Sequence, residues 1–187
     1  MDEQTKKMLV GGFIAFIMVA SVFVVTLDYF VASSNYEYNG FVFNPGNNEW
    51  LVNVDGKQRS FIFLPSDLEY INFPPQAKEL LNAEVLTITY DPFNDFSEDL
   101  GTAQFYFEDQ LKEVKIIDRA VLNNSGLVLE QKSCADSTSA QPVIELHVSN
   151  KSNFESDHNC IKIYGVDGMD VLRMIERMVY HVLGVMR

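Results

Sequence analysis

The sequence predicts an α+β protein: a single N-terminal transmembrane helix, then one extracytoplasmic domain with a mixed β-sheet, a β-meander at its start and a C-terminal amphipathic helix packed on the sheet. Three observations carry this expectation. Residues 8 to 27 (MLVGGFIAFIMVASVFVVTL) contain no charge; short segments rich in β-branched and aromatic residues then alternate with helical patterns; and residues 167 to 186 repeat apolar side chains at helical spacing. With 187 residues, 47% hydrophobic and 21% charged, the chain can bury one sizeable core. Its net charge of −12 works against binding nucleic acid, so no nucleic-acid partner is expected.

The uncharged run is twenty residues long, and a helix of that length matches a hydrocarbon core of roughly 30 Å. Lys6 and Lys7 precede it, Asp28, Glu37 and Glu49 follow it, and the next cation is Lys57, which places the N-terminus in the cytoplasm. The expected organisation is a cytoplasmic end (1–7), a membrane helix (8–30) with Tyr29 and Phe30 at the interface, a tether (31–35) and an extracytoplasmic domain (36–187). A cleaved signal peptide fits less well because the apolar run exceeds the usual one. A pilin-like filament subunit also begins with basic residues and an apolar helix, but no small residue adjoins the basic pair where processing would occur and no acid stands early in the run.

Segments 36 to 44, 49 to 55 and 58 to 64 read as a three-stranded meander, with Trp50, Val52 and Val54 on one face and Phe61 and Phe63 opposite. Ser66-Asp67-Leu68-Glu69 has capping-box spacing, and Pro74-Pro75 opens a short helix through Ala77, Leu80 and Leu81. Residues 84 to 90 predict a strand, 98 to 112 a helix and 115 to 122 a strand, the order of a crossover between parallel neighbours. In the helix, Leu100, Ala103, Phe107, Leu111 and Val114 form the apolar stripe, and Asp95-x-x-Glu98 reads as its cap. Segment 127 to 131 is a candidate returning strand. PVIELHVS (142 to 149) alternates, with Ile144, Leu146 and Val148 on one side and Glu145 and His147 on the other. A polar loop then leads to CIKIY (160 to 164). In the final helix Val171, Leu172, Ile175, Val179, Val182, Leu183 and Met186 form the stripe, Arg173, Glu176 and Arg177 mark the other face, and Asp167 caps the start.

Chemistry-bearing patterns are sparse. The loop DPFNDFSED (91 to 99) lacks the Gly and Glu of a hand-type calcium loop, with Leu100 and Tyr106 in their places. Its Phe93 and Phe96 either anchor the loop to the core, the favoured expectation, or face a ligand. Cys134 and Cys160 stand 26 positions apart with no close ligand pair beside either, so no metal is expected. In an oxidising compartment they are expected to pair as a disulfide. His147 and His158 are the remaining ligand-facing candidates, and Asp118-Arg119, Glu145 and His147 a polar cluster on the solvated sheet face. Asn123 and Asn150 open glycosylation sequons in predicted loops. No catalytic signature and no cofactor motif stands out. The expected function is a single-pass, membrane-anchored binding or scaffolding domain of a cell-envelope complex, non-enzymatic, held in the membrane through 8–30 and joined to a protein partner. An extracytoplasmic hydrolase using dispersed carboxylates or the histidines is the alternative, and a pilin-like subunit the third.

Overall fold

The computed structural model describes residues 12–22 and 35–186. Residues 12–22 are helical with Phe13 and Phe16 exposed. Among the described residues no helix is long and apolar enough to cross a membrane, and the rest of the run from Met8 to Leu27 lies outside them, as do all tether residues but Asn35.

The domain has two sheets with a pair of helices between them. The first is an antiparallel meander of four strands, β1 (Tyr36–Tyr38), β2 (Phe41–Pro45), β3 (Trp50–Val54) and β4 (Lys57–Phe61). Segment 36 to 44 is thus two strands, not one. Asn39 and Gly40 both take left-handed φ (+49° and +83°), which folds the segment back on itself with Tyr36 opposite Phe43. Trp50 lies opposite Phe61 as its alternation implies, whereas Phe63 falls beyond β4.

After β4 a 3-10 turn (Pro65–Leu68) leads to α1 (Pro75–Leu80), with proline at the first helical position. The 3-10 turn has Leu64 at its N-cap and no side-chain cap, so the Ser66 capping box does not form. The second sheet has six strands, β5 (Val85–Tyr90), β6 (Ile116–Val121), β7 (Glu130–Gln131), β8 (Val143–Val148), β9 (Asn153–Asp157) and β10 (Cys160–Gly165), in the order β7-β6-β5-β8-β10-β9. All neighbours are parallel except β9, which pairs antiparallel with β10. Strand β7 is therefore a two-residue parallel edge rather than a returning strand, and the expected polar loop contains β9. With Phe154 as its one large apolar residue, β9 gives too weak an alternation to read in sequence.

Helix α2 (Ser97–Leu111) joins β5 to β6, and α3 (Gly168–Val182) follows β10. Leu100, Ala103, Phe107 and Leu111 are buried as the stripe requires, whereas Val114 is exposed. The N-cap of α2 is Phe96 with no side-chain hydrogen bond, so Asp95 does not cap it. Asp167 does cap α3, accepting from the Asp170 N–H at 2.7 Å. Helix α3 ends where Gly184 turns left-handed and the Val185 N–H donates to the Tyr180 carbonyl at 2.9 Å.

Helix α3 is buried on almost every side, including Glu176 at 0% and Arg177 at 6% exposure, so the polar face read from sequence is interior. The reason is the layering. Val171 packs at Gly165 of β10, while Tyr180, roughly half a turn away around the helix at 3.6 residues per turn, stacks on Phe61 (4.2 Å) and meets Phe43 (6.0 Å) of the meander. Glu176 accepts from the backbone N–H groups of Ile62 (2.7 Å) and Phe63 (2.9 Å) and from the Tyr106 hydroxyl (2.7 Å). These bonds satisfy donors where β4 ends and hold the meander to both helices. Burial pushes the Glu176 carboxyl up to about 7 against the pull of its three donors.

Candidate functional site

The helices cover one face of the six-stranded sheet, burying Leu86, Ile88, Ile144, Leu146, Ile161 and Ile163. Cross-strand pairing puts a different set on the opposite face: Asp118 beside Thr87, Thr89 beside Glu145, Lys162 beside Glu145, Tyr164 beside His147 and Glu155 beside Lys162. Asp118 and Arg119 therefore part company. Arg119, on the helix side, pairs with Glu108 at 2.9 Å and stands over the Phe105 ring, so it is no part of a cluster with Glu145 and His147.

A strap of chain, residues 132 to 142, crosses this polar face. The Thr89 hydroxyl donates to the Lys132 carbonyl at 3.0 Å, the Lys132 ammonium pairs with Asp118, and Gln141 donates to Thr87 and Asp118 at 2.9 and 3.0 Å. Under the strap Thr87 and Thr89 are fully buried and Glu145 is 6% exposed. Cys134 of the strap and Cys160 of β10 stand at disulfide distance with Cα atoms 5.4 Å apart, clipping the strap to the sheet. Glu145 accepts from the Cys134 N–H at 2.6 Å and bonds His147 Nε2 at 3.0 Å, and the His147 ring stacks on Tyr164 with centroids 5.1 Å apart. Burial alone would raise the Glu145 carboxyl, but these two hydrogen bonds hold it below its usual value.

Beside the clip lies a cleft of about 410 Å³ lined by Cys134, Ser137, Glu155, Asp157, His158 and Lys162, among others. His158 is the first residue of the β9–β10 turn, left-handed at φ +50°, with its side chain 86% exposed against Asp157. His147 and His158 do not converge: one pairs with Tyr164 and the other precedes Cys160, so they lie at opposite ends of β10, about 13 Å apart at roughly 3.3 Å per residue. Lys162, Glu155 and Tyr164 are the polar-face residues that sequence reading passed over. The alternation of CIKIY was the available signal, since it sets Lys162 and Tyr164 on the same side as Cys160.

A second region lies at the carboxyl ends of the parallel strands. The chain leaves β5 outward to β6 and leaves β8 the other way to β9 and β10, and open parallel sheets bind ligands outside the strand ends where successive connections diverge in this manner. The loop after β5 carries Phe93 and Phe96, 59% and 38% exposed, so the favoured anchoring to the core does not occur. Two side-chain turns shape it: the Phe93 N–H donates to Asp91 at 3.0 Å and the Phe96 N–H to Asn94 at 2.8 Å. Gly168 at the start of α3 approaches the first turn of α2 so closely that a Cβ on it would meet the Asp99 Cβ at 2.2 Å. Val166 and Met169, both exposed, flank Gly168 in the chain, as the exposed Phe93 and Phe96 precede Asp99. Asp95, Glu98, Asp99 and Asp167 lie in these same two segments without an ion-pair partner among the described residues.

Asn123 and Asn150 are exposed in loops. The Asn123 side chain accepts from the Ser125 hydroxyl at 2.6 Å, and the hydroxyl of Ser152 in the second sequon donates to the buried Asp170. No family model matches the chain, and no curated protein or solved structure matches it.

Proposed function

We propose that the chain is a single-pass, membrane-anchored binding or scaffolding protein, non-enzymatic, whose domain lies outside the cytoplasmic membrane as part of a cell-envelope complex. The uncharged run from Met8 to Leu27 and the basic residues before it support the anchor and its orientation. One observation carries the binding reading: two exposed phenylalanines on a braced loop whose neighbouring carboxylates have no ion-pair partner among the described residues. Aromatic side chains on an ordered loop supply contact area at low entropic cost, and the neighbouring acids select a partner surface that is cationic and apolar. The hydrolase alternative lacks such support, because its two histidines stand at opposite ends of β10.

The test uses the full-length chain in its native membrane with a photoreactive residue at position 93, and a second at position 58 of the meander as control. A single discrete adduct from position 93, weakened by high salt and absent from position 58, is expected. Equal labelling at both positions, or purification from mild detergent as a lone monomer, overturns the reading. Orientation is read separately by protease added to sealed cells, which should cleave the domain and spare residues 1–7. Mass spectrometry of the N-terminus decides the filament alternative, since processing next to Lys7 would restore it.

A further inference from the structure

Folding brings together three groups that sequence spacing keeps apart. The sulfurs of Cys134 and Cys160 and a carboxylate oxygen of Glu145 all lie within 4.8 Å of one another, with Glu145 and Cys160 buried and Cys134 half-buried. The geometry points to a second state of the clip: when a dithiol reductant opens the Cys134–Cys160 bond by exchange, itself closing to a disulfide as it gives up two electrons and two protons, the two freed cysteine sulfurs and the Glu145 carboxylate form a binding site for one divalent cation of the zinc type. The clip thus has two alternative forms, a covalent bond and a metal ion, that hold the strap in the same place.

The chemistry of the donors supports a soft or borderline cation. Two thiolates and one carboxylate match a zinc donor set, and a tetrahedral ion with Zn–S bonds of about 2.3 Å sets its sulfurs about 3.8 Å apart. That separation is open to cysteines whose Cα atoms are 5.4 Å apart. The carboxylate is already oriented, because Glu145 is held by the Cys134 N–H and by His147 at 3.0 Å. Such an outer histidine–carboxylate bond fixes a ligand in place before the ion arrives. Both cysteines also line the cleft beside the clip, which gives the site access from solvent.

Electrostatics argue the same way. Reduction leaves two thiols beside a buried carboxylate, and each thiolate that forms is repelled by it. A divalent cation removes this conflict, releasing two protons as the thiols ionise, and Lys162, cross-strand from Glu145, offsets the remaining charge. The inference concerns the sheet face and stands whether or not the Phe93 loop binds a partner.

The experiment is a cobalt(II) titration of the full-length chain in detergent, kept reduced by a phosphine under nitrogen, with the oxidised chain in parallel. The reduced chain should bind one equivalent, giving a thiolate-to-cobalt band in the near ultraviolet and the visible bands of tetrahedral cobalt, both lost when zinc is added. The oxidised chain should bind none. Glu145→Gln should weaken binding at least tenfold while leaving the near-ultraviolet dichroism of the oxidised chain unchanged. His158→Ala, which removes the imidazole at the β9–β10 turn, should have no effect. If reduction unfolds the domain, zinc must restore its dichroism. Absence of a thiolate band, equal binding by Glu145→Gln, loss of binding in His158→Ala, or failure of zinc to refold an unfolded reduced chain would each overturn the inference.

Discussion

Glu176 concentrates the opposing forces of this fold in one side chain. Three donors favour its carboxylate, yet full burial favours the neutral acid and raises its pKa to about 7. A group whose folded pKa exceeds its unfolded value contributes most below the unfolded value, about 4.5, and loses that contribution as pH rises to 7. The shift corresponds to about 3 kcal/mol. Glu176→Gln keeps a neutral side chain at all pH values. Chemical denaturation of both chains should show the wild type more stable at pH 5, with its advantage shrinking by about 2–3 kcal/mol by pH 8. A pH-independent difference would mean that Glu176 stays ionised throughout. Glu145 runs the other way: its depressed carboxyl contributes stability above the unfolded value and loses it as pH falls through the folded one.

Among the elements, the β1–β2 turn shows what a short signal can decide. Gly40 has φ +83° with open space around its Cβ position, so Gly40→Ala adds backbone strain and no clash. It should cost about 1–2 kcal/mol in thermal or denaturant unfolding. An unchanged stability would mean that the turn relaxes to another type. The Asn-Gly pair stood in plain view within YEYNGFVFN, yet the aromatic run around it reads as one strand until the turn is given its own weight. Elements with strong periodicity were legible to within a residue or two: β5, α2, β6, β8, β10 and the start of α3. Strand β9 was not, because an edge strand that buries only Phe154 has no need of an apolar alternation. The site was half legible. Pairing of Cys134 with Cys160 followed from compartment, and the placing of Glu145 and His147 on one face from their spacing. The strap that buries Glu145 rests on contacts between segments far apart in the chain, and no local pattern encodes those.

At the level of the whole molecule, the sandwich of two sheets around α2 and α3 explains the largest misreading. Charged residues on one side of an apolar stripe signal a solvated face only if a single layer covers the helix. Here the meander covers the second side, and Glu176 and Arg177 become interior groups. The strap is the other feature that belongs to the whole. Closing a loop of 26 residues, the Cys134–Cys160 bond should contribute about 3 kcal/mol in the chain-entropy model. Replacing both cysteines by serine should lower stability by that amount in calorimetry. It should also speed hydrogen exchange at residues 132 to 142 more than in the meander, and uniform acceleration would show that the clip steadies the entire fold.

Because α3 lies between the sheets and follows every strand of both in the chain, the order of synthesis matters. As the polypeptide leaves the ribosome, Phe43 and Phe61 of the meander and Ile161 and Ile163 of the second sheet are all made before the segment that will cover them. Each sheet must wait, part of its apolar side bare, for residues 168–182. Truncation after Gly165 should therefore yield not a smaller stable unit but two incomplete halves that aggregate. The interval before α3 arrives is when this protein is most exposed to misassembly.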